Sequence, residues 1–188
     1  PVEINNAYDR RVPASLAYLG PTVRLRPNLT ILTDTTVSGL TFDGGRCSGV
    51  RAQQGDRTHA FTATREVILA SGAILSPAHL LRAGIGPARD LQALGIEVRC
   101  DLPGVGQHLM DHPSVAIGAF VKPHARLNGK TRRPLLVGLR FSSGIESAPQ
   151  GDMAVTVSTK AAWHAVGNQI ASVTMWVNKT YSDAGSVT

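Results

Sequence analysis

The stretch Arg65–Gly86, REVILASGAILSPAHLLRAGIG, decides how the rest of the chain is read. It opens on a short apolar run, Val67-Ile68-Leu69-Ala70, too short for a helix and predicted to be a strand. Ser71-Gly72-Ala73 then removes side-chain bulk where a strand would turn over into a helix. Ser76 is placed as an N-cap and Pro77 at the first helical position, where its missing N–H costs nothing. The helix is expected over Ala78–Ala83, stopping at Gly84 with Pro87 just beyond. A strand, a small-residue turn and a helix N-terminus together let backbone come close to a phosphate or ribose. Any strand–helix unit of an α/β fold has a small-residue turn, so the pattern alone names no ligand.

Working outward, composition narrows the class. The 188 residues, 43% hydrophobic and 17% charged, fit a globular chain of one domain or parts of two and exclude a disordered one. No uninterrupted apolar run is long enough to span a bilayer. The first residues, Pro1 to Asn6, carry neither a basic nor an apolar signal region, and the missing initiator Met suggests a processed or partial chain. Cys47 and Cys100 form no disulfide framework or metal knuckle and are expected to be small buried hydrophobes. So few cysteines mildly favour a reducing, cytoplasmic compartment. The net charge of +6 is concentrated in part between Lys122 and Arg133. That run has little aromatic interleaving, so it is read as a solvated loop and not as a nucleic-acid surface.

Upstream of the opening stretch, Ser15–Arg26 has helical spacing interrupted at Gly20-Pro21. Residues 29–42, LTILTDTTVSGLTF, read as one long or broken strand. Asp43-Gly44-Gly45 and Gly55-Asp56 are turns, with strands over Arg46–Gln53 and Thr58–Thr62, so a three-stranded antiparallel meander leads into Arg65. Downstream, a helix over Ala88–Leu94 ends at Gly95, and Ile96–Val98 is a short strand. A domain boundary is placed near Pro113. Beyond it, Ser114–Val121, Met153–Val157 and Ile170–Val177 are strand candidates of a second sheet, while Pro134–Phe141 is apolar without a clear period.

Three constellations could carry chemistry, and each is incomplete. His108, Asp111 and His112 form H-x-x-D-H, but Pro113 stops any helix there and no third strong ligand is near in sequence. Ser76 sits in I-L-S-P-A, not G-x-S-x-G, and Pro77 removes the N–H that an oxyanion hole would need. Gly104-Val105-Gly106 begins like a dinucleotide fingerprint, yet Leu109 stands where the third glycine belongs.

With these residues laid out, the chain resembles the glucose–methanol–choline (GMC) family of FAD-dependent oxidoreductases. Four collinear segments carry the resemblance: Val12–Asn28, Leu29–Val50 with Thr36-Val37, Glu66–Pro87, and Leu102–Pro113. The third is the specific one, and Tyr181–Val187 is a weaker match. Ala83 and His79 depart from the pattern, where serine and an aliphatic residue are usual. The resemblance implies an α/β (α+β) fold class. Residues 1–112 would be part of a Rossmann-like FAD-binding domain with an antiparallel β-meander, and 113–188 the start of an antiparallel-sheet substrate domain. It implies FAD as cofactor, with Val37 contacting adenine through its backbone and Ala70, Ser71 and Gly72 lying against the adenosine half. The G-x-G-x-x-G loop and the catalytic histidine have no counterpart here, so the chain is expected to be an internal piece of a longer enzyme, with no catalytic residue and no metal site nominated. The implied activity is oxidation of a CH–OH donor by hydride transfer to flavin N5. A cyanohydrin (hydroxynitrile) lyase on the same scaffold is the alternative, as is an isolated piece without activity. The implied partners are a small-molecule alcohol and the remaining segments of the same enzyme, with no nucleic acid and no membrane span.

Overall fold

The computed structural model describes residues 6–7, 10–126, 135–160, 166–177 and 185–188. In chain order the elements are β1 (Asn6–Ala7), β2 (Arg10–Arg11), α1 (Ala14–Tyr18), α2 (Pro21–Arg24), β3 (Thr36–Asp43), β4 (Arg46–Gln54), β5 (Arg57–Thr62) and α3 (Gly72–Arg82). They continue with β6 (Ile85–Gly86), α4 (Ala88–Ala93), β7 (Cys100–Asp101), β8 (Ser114–Phe120), β9 (Leu135–Phe141), β10 (Met153–Ser158) and β11 (Ile170–Val177). Two compact units result. One comprises Thr30–Met110 and Ser182–Thr188; the other comprises Pro1–Leu29 and Asp111–Tyr181. The division at Asp111 falls close to Pro113, but each end of the chain groups with the unit distant from it in sequence.

The first unit holds the meander, β3-β4-β5, antiparallel throughout. Its turns fall at Gly44 and Gly55 as expected, but β3 starts only at Thr36. Thr36 pairs with Gln53, and the chain turns at Gly55, so residues 29–35 have no partner strand to pair with among the described residues. Ala52, in the middle of β4, is fully buried. After the meander, β6 and β7 form a parallel pair with α4 as the crossover between them. The expected strand at Ile96–Val98 is displaced to Cys100–Asp101. The Gly84 carbonyl accepts from the N–H groups of Arg99 and Cys100, and that of Gly86 accepts from Leu102, which sets the register. In this two-residue strand Cys100 is exposed, contrary to the buried role expected of it, while Cys47 in β4 is half-buried.

Two further expectations are corrected inside Arg65–Gly86. Residues 67–70 belong to no strand, because among the described residues nothing lies alongside to complete a ladder. The helix begins at Gly72 with Ser71 as its N-cap, so Ser76 and Pro77 lie inside it and not at its start. Gly72, at φ +85°, makes the sharp change of direction that an L side chain would resist, and so the turn comes at the first glycine available. The stop is as expected, at Arg82 followed by Ala83 and Gly84.

The second unit contains an antiparallel sheet in the order β8-β11-β10-β9. Strand β9 forms where no period was legible. From Val137 the sequence does alternate, Val-Gly-Leu-Arg-Phe, but Leu135-Leu136 hides the alternation. Register aligns two apolar rows across the sheet, Ile117–Val173–Val157–Val137 and Val115–Met175–Val155–Leu139. Ile117 is 70% and Leu139 61% exposed, so this face is largely uncovered in the chain. Ala154 and Ile170 are buried on the opposite face. Helical spacing at Ser15–Arg26 appears as α1 and α2, broken at Gly20-Pro21 as expected. Of the basic run, residues 127–133 lie outside the described residues, as do 181–184 of the last matching segment.

Candidate functional site

The candidate site is built on the strand–turn–helix of the first unit. Arg46, at the start of β4, donates from its guanidinium to the carbonyls of Thr64 and Arg65 at 2.6 and 3.1 Å, which anchors the chain as it leaves the meander. From Glu66 to Ala70 the backbone N–H groups have no hydrogen-bond partner among the described residues, and Ile68 is 79% exposed. Ala70, Ser71 and Gly72 follow, all exposed. A Cβ added to Gly72 would meet no heavy atom within 4 Å. The Ser71 N–H donates to the Ser76 hydroxyl at 2.9 Å, across the first turn of α3.

Val37, the remaining residue singled out, is half-buried in β3 beside a register irregularity between Val37 and Gly39. Ser38, within it, donates its hydroxyl to the Arg51 carbonyl at 3.2 Å. A bulge of this kind redirects an edge strand's polar groups. Val37, Ala52 and His59 form one cross-strand row. Helix α3 lies beside β3, so Val37 and the Ala70–Gly72 turn share one unit. His59 stacks on Phe61 with 5.8 Å between ring centroids, and its buried Nε2 has no hydrogen-bond partner among the described residues.

A groove of about 490 Å³ runs along α3 on the side of Ala73, Ser76 and Leu80, closed opposite by residues 104–110. Its wall is tied down by the last residues of the chain. Val187 N–H donates to the Gly106 carbonyl at 2.7 Å, and Leu109 N–H to the Gly185 carbonyl at 2.8 Å. His108, between these bonds, lines the groove with φ +60°, a left-handed conformation in which His, Asn and Asp are the commonest non-glycine residues. Sequence reasoning weighed His108 only as part of H-x-x-D-H. Gly106, two positions before it and also left-handed, was the local signal that the backbone turns here. Among the described residues no three His, Cys, Asp or Glu side chains come together as a metal site would require, and no helix is long and apolar enough to cross a membrane.

A glycine turn opening a helix, a short parallel β–α–β pair and a flanking antiparallel meander make this a mixed α/β unit. Residues 2–114 match the GMC oxidoreductase family, and the chain belongs to that family. It is 40% identical over 177 residues to a 5-(hydroxymethyl)furfural oxidase of Methylovorus sp. (strain MP688), covering 93% of this chain and 32% of that protein. Against the mitochondrial choline dehydrogenase of Homo sapiens it is 46% identical over 134 residues, 70% of this chain and 22% of that one. The crystal structure of pyridoxine 4-oxidase from Mesorbium loti superposes with a TM-score of 0.75 at 25% identity, over 95% of this chain and 36% of the oxidase. The chain thus spans about a third or less of the length of these relatives.

Proposed function

We propose that the whole protein is an FAD-dependent oxidoreductase acting on CH–OH donors, with this chain supplying the side of the cofactor site that holds the adenosine half. The observation that carries this is the Ala70–Gly72 turn, the most specific of the matching segments, which lies open and not packed under side chains. The group fits the residues present. Small side chains leave backbone approachable, a Cβ at Gly72 would meet no heavy atom within 4 Å, and the amides of 66–70 are unpaired among the described residues. When bound, FAD would supply the hydride acceptor for alcohol oxidation. Val37 would meet the adenine edge through its backbone N–H and C=O, a recognition that needs no particular side chain. Ala70, Ser71 and Gly72 would keep bulk away from the adenosine.

The proposed division of labour assigns the FAD domain to the segments up to residue 112 and the start of the substrate domain to the segments from 113 onward. None of the six His is proposed as the general base; that group would come from other segments of the same enzyme. The substrate class is a small-molecule alcohol, since the three relatives are named for 5-(hydroxymethyl)furfural, choline and pyridoxine, each of which carries a primary alcohol. By itself the chain is expected to bind FAD weakly or not at all and to turn over no alcohol.

The test uses the intact protein. It should purify with a flavin spectrum, and anaerobic addition of one of those three alcohols should bleach it. A protein that carries no flavin and cannot be reconstituted with FAD would sink the proposal.

A further inference from the structure

Resting on the proposed contact of Ala70–Gly72 with FAD, we infer that Ser76 is a positioning residue for the cofactor, holding that turn in shape through its hydroxyl without touching the cofactor itself. Helix α3 is poorly secured where it starts. Pro77 stands inside it, so the carbonyl of Ala73 loses the N–H that would ordinarily bond to it from four residues on. Ahead of the helix, residues 66–70 have no ladder partner among the described residues, and a Cβ at Gly72 would meet nothing within 4 Å. Among the described residues, the bond from Ser71 N–H to Ser76 Oγ at 2.9 Å is the one hydrogen bond that ties residues 66–71 by their N–H groups to anything else.

The bond also selects among donors. A helix start leaves its first four N–H groups without partners inside the helix. Ser76 takes that of Ser71 and leaves those of Gly72, Ala73 and Ile74 free. Ser76 is half-buried in the groove wall, which limits the rotamers open to its side chain, while the Ser71 N–H that it accepts from is exposed. Losing it would free the turn to sample other shapes, and the cofactor would bind to the fraction that keeps the right one.

A matched pair of variants in the intact protein isolates the hydroxyl. Ser76→Thr keeps it, and Ser76→Val has nearly the same shape without it. Equilibrium FAD affinity of the apoprotein is read by flavin fluorescence, and exchange of the Ser71 amide by hydrogen-exchange mass spectrometry without FAD. Ser76→Val should weaken FAD binding about tenfold and speed Ser71 exchange, while Ser76→Thr stays within about threefold of the parent in both. If Ser76→Val loses the Ser71 protection yet binds FAD as the parent does, the positioning role is overturned and the hydroxyl serves the helix alone. If both variants weaken FAD equally, shape and not the hydroxyl matters, and the inference again fails. A parent protein without affinity for FAD overturns the proposed function itself, which is a separate result.

Discussion

Replacing Gly106 with alanine tests how the groove wall is held. Two obstacles meet the new methyl group. The backbone at Gly106 has φ +78°, and a left-handed conformation costs an L-residue roughly 1–2 kcal/mol. The Cβ would also collide with the Val187 carbonyl oxygen, which is backbone and cannot swing aside as a side chain could. Relief comes only if residues 185–188 move away. That breaks the Val187–Gly106 and Leu109–Gly185 hydrogen bonds of 2.7 and 2.8 Å, each contributing about 0.5–1.5 kcal/mol net. Together these give a loss of about 3 kcal/mol, with an upper end near 5 kcal/mol if both bonds are lost at full value. Urea unfolding followed by far-UV circular dichroism measures it, with hydrogen exchange at the Leu109 and Val187 amides as the local readout. Deleting residues 185–188 removes the same two bonds and the obstacle itself. In that background Gly106→Ala should therefore cost only the roughly 1–2 kcal/mol of the backbone conformation. A full-length variant within about 0.5 kcal/mol of the parent, with both amides still protected, would refute this account of the wall. So would strict additivity of the two changes.

Three further outcomes are expected. Leu91→Ala should destabilise the first unit by about 2–5 kcal/mol in urea titration, because Leu91 is 1% exposed and lines a cavity of about 40 Å³ that its truncation would enlarge. At His108, φ +60° suits asparagine better than a β-branched residue. His108→Val should lose about 1–2 kcal/mol more than His108→Asn, by the same titration. In the chain by itself the amides of 66–70 should exchange at nearly unprotected rates while that of Ala52 is slow. Slow exchange across 66–70 would mean that the segment has found a partner strand.

Comparison of α3 with its sequence shows where local reasoning stops. Ser76-Pro77 carries the usual marks of a helix start, yet the helix begins at Gly72, since a glycine free to take a positive φ offered an earlier turn and Ser76 could reach back to cap Ser71. The Gly84 stop was legible because its cause is local. The Val67–Ala70 run read as a strand and is none, because strand identity depends on a neighbour, and pairing is not written in the segment itself. Cys100 was read as buried from residue type, and a two-residue edge strand left it exposed.

By itself, the sequence determined the family, through four collinear segments, and the meander, through turn residues at Gly44 and Gly55 whose backbone demands are local. Tertiary structure alone decided three things. It brought Gly185 and Val187 back beside Leu109 and Gly106, a contact between residues some eighty positions apart that no local pattern encodes. It set the Ser71–Ser76 bond, which depends on where the helix actually begins. It also aligned the apolar residues of β8, β9, β10 and β11 into two rows on one sheet face, because register comes from hydrogen bonding between strands and not from any strand's own alternation.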